Sequence, residues 1–289
     1  MAAPLEVLLA LQAIMDNKLK VLVAALALAC SALFQTTFAA EPVKLTVGYQ
    51  SYDTISYSAA VIRALELRKK NLPPGSEVEF QNALQGSIIV NQMLANKQQI
   101  GYLGDMPAVV STTKHEITNI NLVANTGWGG IAKYAITGYS FGIPDSGYIA
   151  MREDFMKQRP DIVEAWLKTE LEAQRFVLDP KNWDKVAEIV KGQTTGITIP
   201  LAWFSIYGQI PPSAGGSPIR DEKPFVFDDR IHTQLDSIYK FLHETKVINI
   251  DKAPAGALDD TVARKVAEEG RRSTTPRTIK AQDVAKAPK

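Results

Sequence analysis

Cysteine occurs once in the 289 residues, as Cys30, so an internal disulfide framework and a cysteine metal cluster are both excluded. Histidine is nearly as scarce. His115, His232 and His243 are scattered, and the last two stand too far apart for the short ligand spacing of a zinc helix. There is no P-loop, no glycine-rich dinucleotide fingerprint after the first strand, and no nucleophile elbow around Ser111, Ser146 or Ser205. No enzyme, catalytic residue, metal or cofactor is therefore expected. Charge of one sign is missing as well: 32 Lys and Arg stand against 31 Asp and Glu, which leaves no nucleic-acid footprint.

Long apolar runs are confined to the start of the chain. Lys18 and Lys20 precede the run Val21 to Ala29, and small residues follow as far as Ala39 and Ala40. Basic start, apolar middle and small-residue end predict a secretory signal peptide over residues 1–40, hence a periplasmic mature protein. Lipoprotein anchoring at Cys30 is the weaker reading, because Leu28 sits one place too close to the cysteine. A retained membrane span is weaker too, since the run is short and ends at Gln35-Thr36-Thr37.

What is present, 46% hydrophobic residues in a long chain, is enough for a large core. Val43–Tyr49 alternates as a strand, and Ser56 to Lys70 follows with helical spacing. Val78–Phe80, the helical Ser87–Asn96 and Gln99–Leu103 then repeat the strand, helix, strand order, and Ile120–Ala124 reads as a fourth strand. Right-handed crossovers would lay the first three strands parallel, with helices on the faces. Further helices are expected over Asp161–Leu178, Trp183–Val190, Ile231–Glu244 and Leu258–Glu269, while Gly192–Pro224 is broken by glycine and proline around a helical or buried Leu201–Tyr207. Arg271, Arg272, Arg277, Lys280, Lys286 and Lys289 read as a basic, solvated end.

Three loops should leave the carboxyl ends of neighbouring strands, where open α/β sheets place ligands. The first is Gln50-Ser51-Tyr52-Asp53-Thr54, which supplies donors, acceptors and an aromatic surface. The second is Gln85-Gly86-Ser87, where a helix begins and its exposed amides would offer positive potential to an anionic head group. The third is Gly104-Asp105-Met106-Pro107, in which Asp105 could cap the helix start, contact a ligand amine or serve as a catalytic carboxylate. Ordinary turn and cap chemistry explains each loop alone; together they favour a binding rim.

The stretches KLTVGYQ, VEFQNALQGSIIVNQMLANKQQIGYLGDMPAVVSTT and DSGYIAMREDFMKQRPDIVEAWL resemble the periplasmic substrate-binding proteins of ABC importers in the nitrate, sulfonate and taurine group. The resemblance covers most of Val43 to about Pro212. It implies a periplasmic-binding-protein-like (type II) α/β fold with a parallel-rich sheet and flanking helices. It also implies a monomer that carries a small anionic or zwitterionic solute to an inner-membrane ABC permease. By position, Gln50 and Ser51 look like first-loop contacts, Ser87 like the residue at the anion-facing helix start, and Asp105 with Met106 like the contact after the third strand; Tyr52, Gln85 and Gly86 flank them.

The resemblance also implies a second α/β lobe that this chain lacks. Val123–Trp128 runs almost directly into Ala135–Ser140, so the second lobe is expected to be truncated between Gly127 and Lys133. The implied layout is a first α/β part over 41–130, a shortened hinge over 131–147, a returning helical part over 148–257, and a C-terminal helix with a basic flexible tail over 258–289. Shortening should expose apolar surface near Trp128 and Ile131 and weaken solute binding, because a clamshell encloses its ligand from both sides. The alternatives are a one-lobed envelope interaction or sensory module, and a small-molecule enzyme using Asp105.

Overall fold

The strand that anchors the lobe, β1 (Lys44–Tyr49), alternates an exposed Lys44 and half-buried Thr46 with buried Leu45, Val47 and Tyr49. The computed structural model of the chain describes residues 41–113, 119–130, 145–214, 216–270 and 277–289; the expected leader and residues 131–144 of the shortened segment lie outside them. A one-turn helix (Thr54–Ser56) leads into α1 (Tyr57–Leu65). The sequence predicts one helix from Ser56 to Lys70. Instead Glu66 takes a left-handed conformation (φ 51°) that ends α1, and the short α2 (Arg68–Asn71) follows and buries no residue.

After β2 (Glu77–Asn82) come α3 (Gly86–Leu94), β3 (Ile100–Gly104), α4 (Asp105–Ser111), β4 (Ile120–Gly130) and β5 (Asp145–Arg152). The returning half holds α5 (Glu153–Gln158), α6 (Pro160–Leu178), α7 (Trp183–Gln193), α8 (Ile199–Tyr207), β6 (Ile219–Lys223), α9 (Asp229–Glu244), α10 (Thr261–Glu269) and β7 (Arg277–Lys280). The strands form one sheet in the order β2-β1-β3-β5-β4-β6-β7. Only the pairings of β1 with β2 and with β3 are parallel; the others are antiparallel. The sheet is therefore mixed rather than parallel-rich, because β5 returns between β3 and β4 in the opposite direction.

Both faces of the sheet are covered. On one, α1, α6, α7, α8 and α10 bury Tyr57, Val61, Trp166, Leu171, Val190, Trp203 and Val266 against Val47, Tyr102 and Ile149. On the other, α3, α4 and α9 bury Ile89, Met93, Val109, Leu235 and Tyr239 against Leu103, Leu122 and Tyr148. Such apolar burial, worth about 25 cal/mol per Å², is what makes the amphipathic helices permanent. Among the described residues no helix is long and apolar enough to cross a membrane.

Two expectations change at the ends of the sheet. The basic tail is not simply solvated: β7 pairs with β6, Ile279 is buried, and the Gln282 amide donates to the Tyr207 carbonyl at 2.7 Å. Trp128, expected at an exposed junction, is only 7% exposed and lies under the Arg230 guanidinium, 5.4 Å from the ring centre. Ile131 lies outside the described residues.

Candidate functional site

The order β2-β1-β3 fixes where a ligand can enter. The chain moves outward from β1 to β2 and then back across β1 to β3, so right-handed crossovers place α1 and α3 on opposite faces. Beyond the carboxyl ends of β1 and β3 the chain departs to α1 on one face and α4 on the other, which makes this the switch point where open α/β sheets place ligands. The three loops singled out in the sequence all border it.

Within the first loop, Gln50 is buried and its Nε2 donates to Asp53 Oδ2 at 3.1 Å. Asp53 also caps the one-turn helix, accepting from the Ile55 amide through Oδ1 at 3.3 Å. Ser51, expected as a ligand contact, is buried; its amide donates to Asn82 Oδ1 and its hydroxyl accepts from Asn82 Nδ2, each at 3.0 Å. That pairing locks the loop to the end of β2. Tyr52 is half exposed, and its hydroxyl donates to the Leu84 carbonyl.

In the second loop Gly86 has a steric reason: a Cβ there would stand 2.7 Å from Pro107 Cγ and 3.6 Å from Gln50 Oε1. The close approach brings all three loops together. The start of α3 has no side-chain cap, since Ser87 Oγ turns to Gln85 Oε1 at 3.4 Å, so its first amides keep their donor capacity. In the third loop Asp105 Oδ1 accepts from the Met106 amide at 2.6 Å, and the Met106 side chain is exposed.

Of the acidic groups at this rim, Asp53 and Asp105 belong to the loops singled out in the sequence and Asp145 does not. Asp145 opens β5, opposite Gly130, and Gly147 pairs with both Gly104 and Gly127. Ile55 fills the space over those glycines: a Cβ on Gly104 or Gly127 would lie within 3.8 Å of it, and one on Gly147 would collide with it. Asp53, Asp105 and Asp145 are thereby gathered around one side chain. Burial raises the Asp53 carboxyl, against the Ile55 amide, Lys223 and Gln50, which all favour its charged form. Burial, then the neighbouring Asp53, pushes Asp105 up to about 6. Burial followed by repulsion from Asp105, Asp53 and Asp221 pushes Asp145 up to about 8. The nearby cation, Lys223, is tied to Asp221 at 2.7 Å with both side chains buried.

Asp145 fell inside a run that reads as turns, and its role depends on a strand partner far away in sequence. Lys223 and Asp221 sit in a charged run, Arg220-Asp221-Glu222-Lys223, that looks like surface. No pattern in the chain marks either. Among the described residues no group of three or more histidine, cysteine or carboxylate side chains is placed to hold a metal ion. Gly147→Ala is expected to destabilise the lobe by about 1–3 kcal/mol, because the added methyl meets Ile55 and stands 2.6 Å from Thr126 Oγ1; urea unfolding measures it.

No family model and no curated protein matches the chain. Solved structures do. A periplasmic sulfonate-binding protein of Methylobacillus flagellatus superposes with a TM-score of 0.57 at 13% identity, over 83% of this chain and 98% of that one. The periplasmic nitrate-binding protein of Synechocystis gives 0.56 at 10% identity, over 79% and 89%. The alkanesulfonate-binding protein of Xanthomonas axonopodis pv. citri, bound to MOPS, gives 0.53 at 11% identity, over 76% and 99%. The chain has a type II periplasmic-binding-protein fold. The described residues form one α/β lobe of that fold, and at such identities the likeness establishes architecture and nothing about the ligand.

Proposed function

We propose that this chain is the extracytoplasmic solute-binding component of an ABC importer, built on one lobe and delivering a small anionic or zwitterionic solute to an inner-membrane permease. Nitrate, taurine and aliphatic sulfonates define the solute class. The observation that carries the reading is the uncapped start of α3, where Gly86 lies against Gln50 and Pro107 at the switch point. The fold adds weight, since solved sulfonate- and nitrate-binding proteins share it. With a single jaw the solute keeps part of its water and loses half its contacts, so affinity falls into the millimolar range.

Amide chemical-shift mapping with taurine, nitrate and ethanesulfonate tests this. Shifts confined to the Gln50–Asp53, Gln85–Ser87 and Asp105–Met106 loops, saturating at millimolar concentrations, are expected. An unperturbed rim at tens of millimolar with every solute would overturn the solute-binding role. Micromolar affinity by calorimetry would overturn the single-jaw argument. A second reading, a one-lobed envelope interaction module, is favoured by the exposed Tyr52, Leu84, Ile88 and Met106 along the same rim. It predicts a stable complex with an envelope protein and no small-molecule shifts.

A further inference from the structure

The end of the sheet remote from the rim carries a cavity that the solute-binding reading does not use. There, where β4 begins and β5 passes into α5, a cavity of about 160 Å³ opens between Thr112, Ile120, Asn121, Glu153, Gly256 and Asp259. We propose that this cavity is a receptor for a guanidinium group, with Asn121, Glu153 and Asp259 as its acceptors. It is a second site, separate from the three rim loops.

The cavity exists because a strand pairing stops early. Leu122 donates to the Ala257 carbonyl at 2.8 Å and accepts from the Asp259 amide at 2.9 Å, so residues 257–259 run beside β4 as a parallel partner. One step earlier that partner turns away: the Ala257 amide donates back to the Pro254 carbonyl at 3.1 Å, and Gly256 takes a left-handed conformation (φ 77°). The Asn119 carbonyl accepts from the Glu153 amide at 2.9 Å on the β5 side, so by alternation the Ile120 carbonyl turns to the other edge, where the cavity lies. At about 30 Å³ for each water of the liquid, the space equals about five waters, enough for a guanidinium and the carbon that bears it.

Asn121 is the observation that points to a ligand. It is 8% exposed and lines the cavity, and among the described residues its side-chain amide has no hydrogen-bond partner. Buried side-chain amides are normally paired, so this one is set for a group that enters. The carboxylates have capacity left as well. Asp259 Oδ1 accepts from the Thr261 amide at 3.1 Å, while among the described residues Oδ2 has no donor and the side chain no ion-pair partner; Arg264, close in sequence, is held by Asp260 at 2.8 Å. Glu153 accepts from Asn119 Nδ2 and from Lys157 Nζ, each at 2.8 Å and on different oxygens, which leaves a lone pair on both. Acceptors on separate walls suit a flat cation whose N–H bonds point in several fixed directions, which is the guanidinium; an ammonium is a compact point charge. A metal ion would need three or more such ligands drawn together, and the described residues hold no such group.

Methylguanidinium and methylammonium, titrated into the full chain at constant ionic strength and followed by amide shift mapping, test this. Methylguanidinium is expected to shift residues 119–122 and 256–261, to saturate at millimolar concentrations and to leave the rim loops unmoved, binding about tenfold more tightly than methylammonium. Asp259→Asn keeps an oxygen for the Thr261 amide and should weaken methylguanidinium about tenfold; Asn121→Ala should weaken it about fivefold, with urea midpoints verifying that both variants fold. N-acetylarginine methylamide distinguishes the source of the group. Tighter binding than methylguanidinium, with added shifts at residues 250–254 in the adjoining groove, identifies an arginine carried by a peptide, and equal binding identifies a free guanidino compound. Equal affinity for the two small cations, binding that survives Asp259→Asn, or no shift at this end of the sheet at tens of millimolar would each overturn the guanidinium receptor. The solute-binding reading is untouched by any of these results, because its loops lie at the opposite end.

Discussion

Replacing Lys223 by methionine is expected to destabilise the protein by about 3–5 kcal/mol, the range for removing one partner of a buried ion pair. Lys223 and Asp221 are 3% and 7% exposed with their charged atoms 2.7 Å apart. Asp221 holds more than the lysine: its Oδ1 accepts from the Glu222 amide at 2.8 Å and the Trp128 amide at 3.3 Å, clipping β6 to β4. Methionine fills the same volume, so packing survives while an uncompensated carboxylate is left in a dry strand pair. Lys223 also favours the charged forms of Asp53 and Glu170, and those acids rise further without it. The double variant Asp221→Asn with Lys223→Met should recover at least half of the loss, because asparagine still accepts the backbone amides and carries no charge. Urea midpoints for the two single variants and the double variant test it. Equal losses in Lys223→Met and the double variant would show that the lysine acts through packing alone.

The elements that could be read from the sequence are those whose information is local. β1, α3, β3 and α6 carry their own periodicity, and Pro160 at the first turn of α6 marks its start. The sequence predicts too long a helix after β1, because no glycine or proline marks the place where Glu66 takes a left-handed conformation and ends α1. β6 and β7 were missed for a different reason. IRDEK and RTIK each hold a single large apolar side chain, so their pairing rests on backbone hydrogen bonds and not on an alternating face. Antiparallel insertion of β5 is likewise a property of the whole sheet.

The same division holds for the candidate site. Gly86, Ser87 and Asp105 announce themselves because each stands in a strand-to-helix turn, at the carboxyl ends of neighbouring strands where open α/β sheets place ligands. Ser51 looked like a ligand contact and is spent on Asn82, a partner 31 positions away. Asp145 looks inert in the chain and acquires its acidic neighbours only once β4 and β5 are paired with bulges at Asn125/Gly127 and Trp128/Gly130.

Asp145→Asn is expected to stabilise the protein by several kcal/mol at pH 8.5, about 1.4 kcal/mol for each pH unit between the unfolded and folded values, and to change little at about pH 3. The sign follows from proton linkage. Asp145 has a folded-state value of about 8, against an ordinary value of 3.8, because burial and the charges of Asp105, Asp53 and Asp221 oppose its ionisation; only the Ser146 amide favours it. Across that interval the folded protein holds a proton that the unfolded chain has released. The contribution to stability is complete below the unfolded value and disappears as pH rises through the folded one, with Asp105 losing its share earlier, near 6. An amide never ionises, so the variant escapes the loss that builds up between the two values while matching the protonated acid below the unfolded one. Urea unfolding of both proteins at the two pH values distinguishes this from a packing effect, which would give the same offset at each.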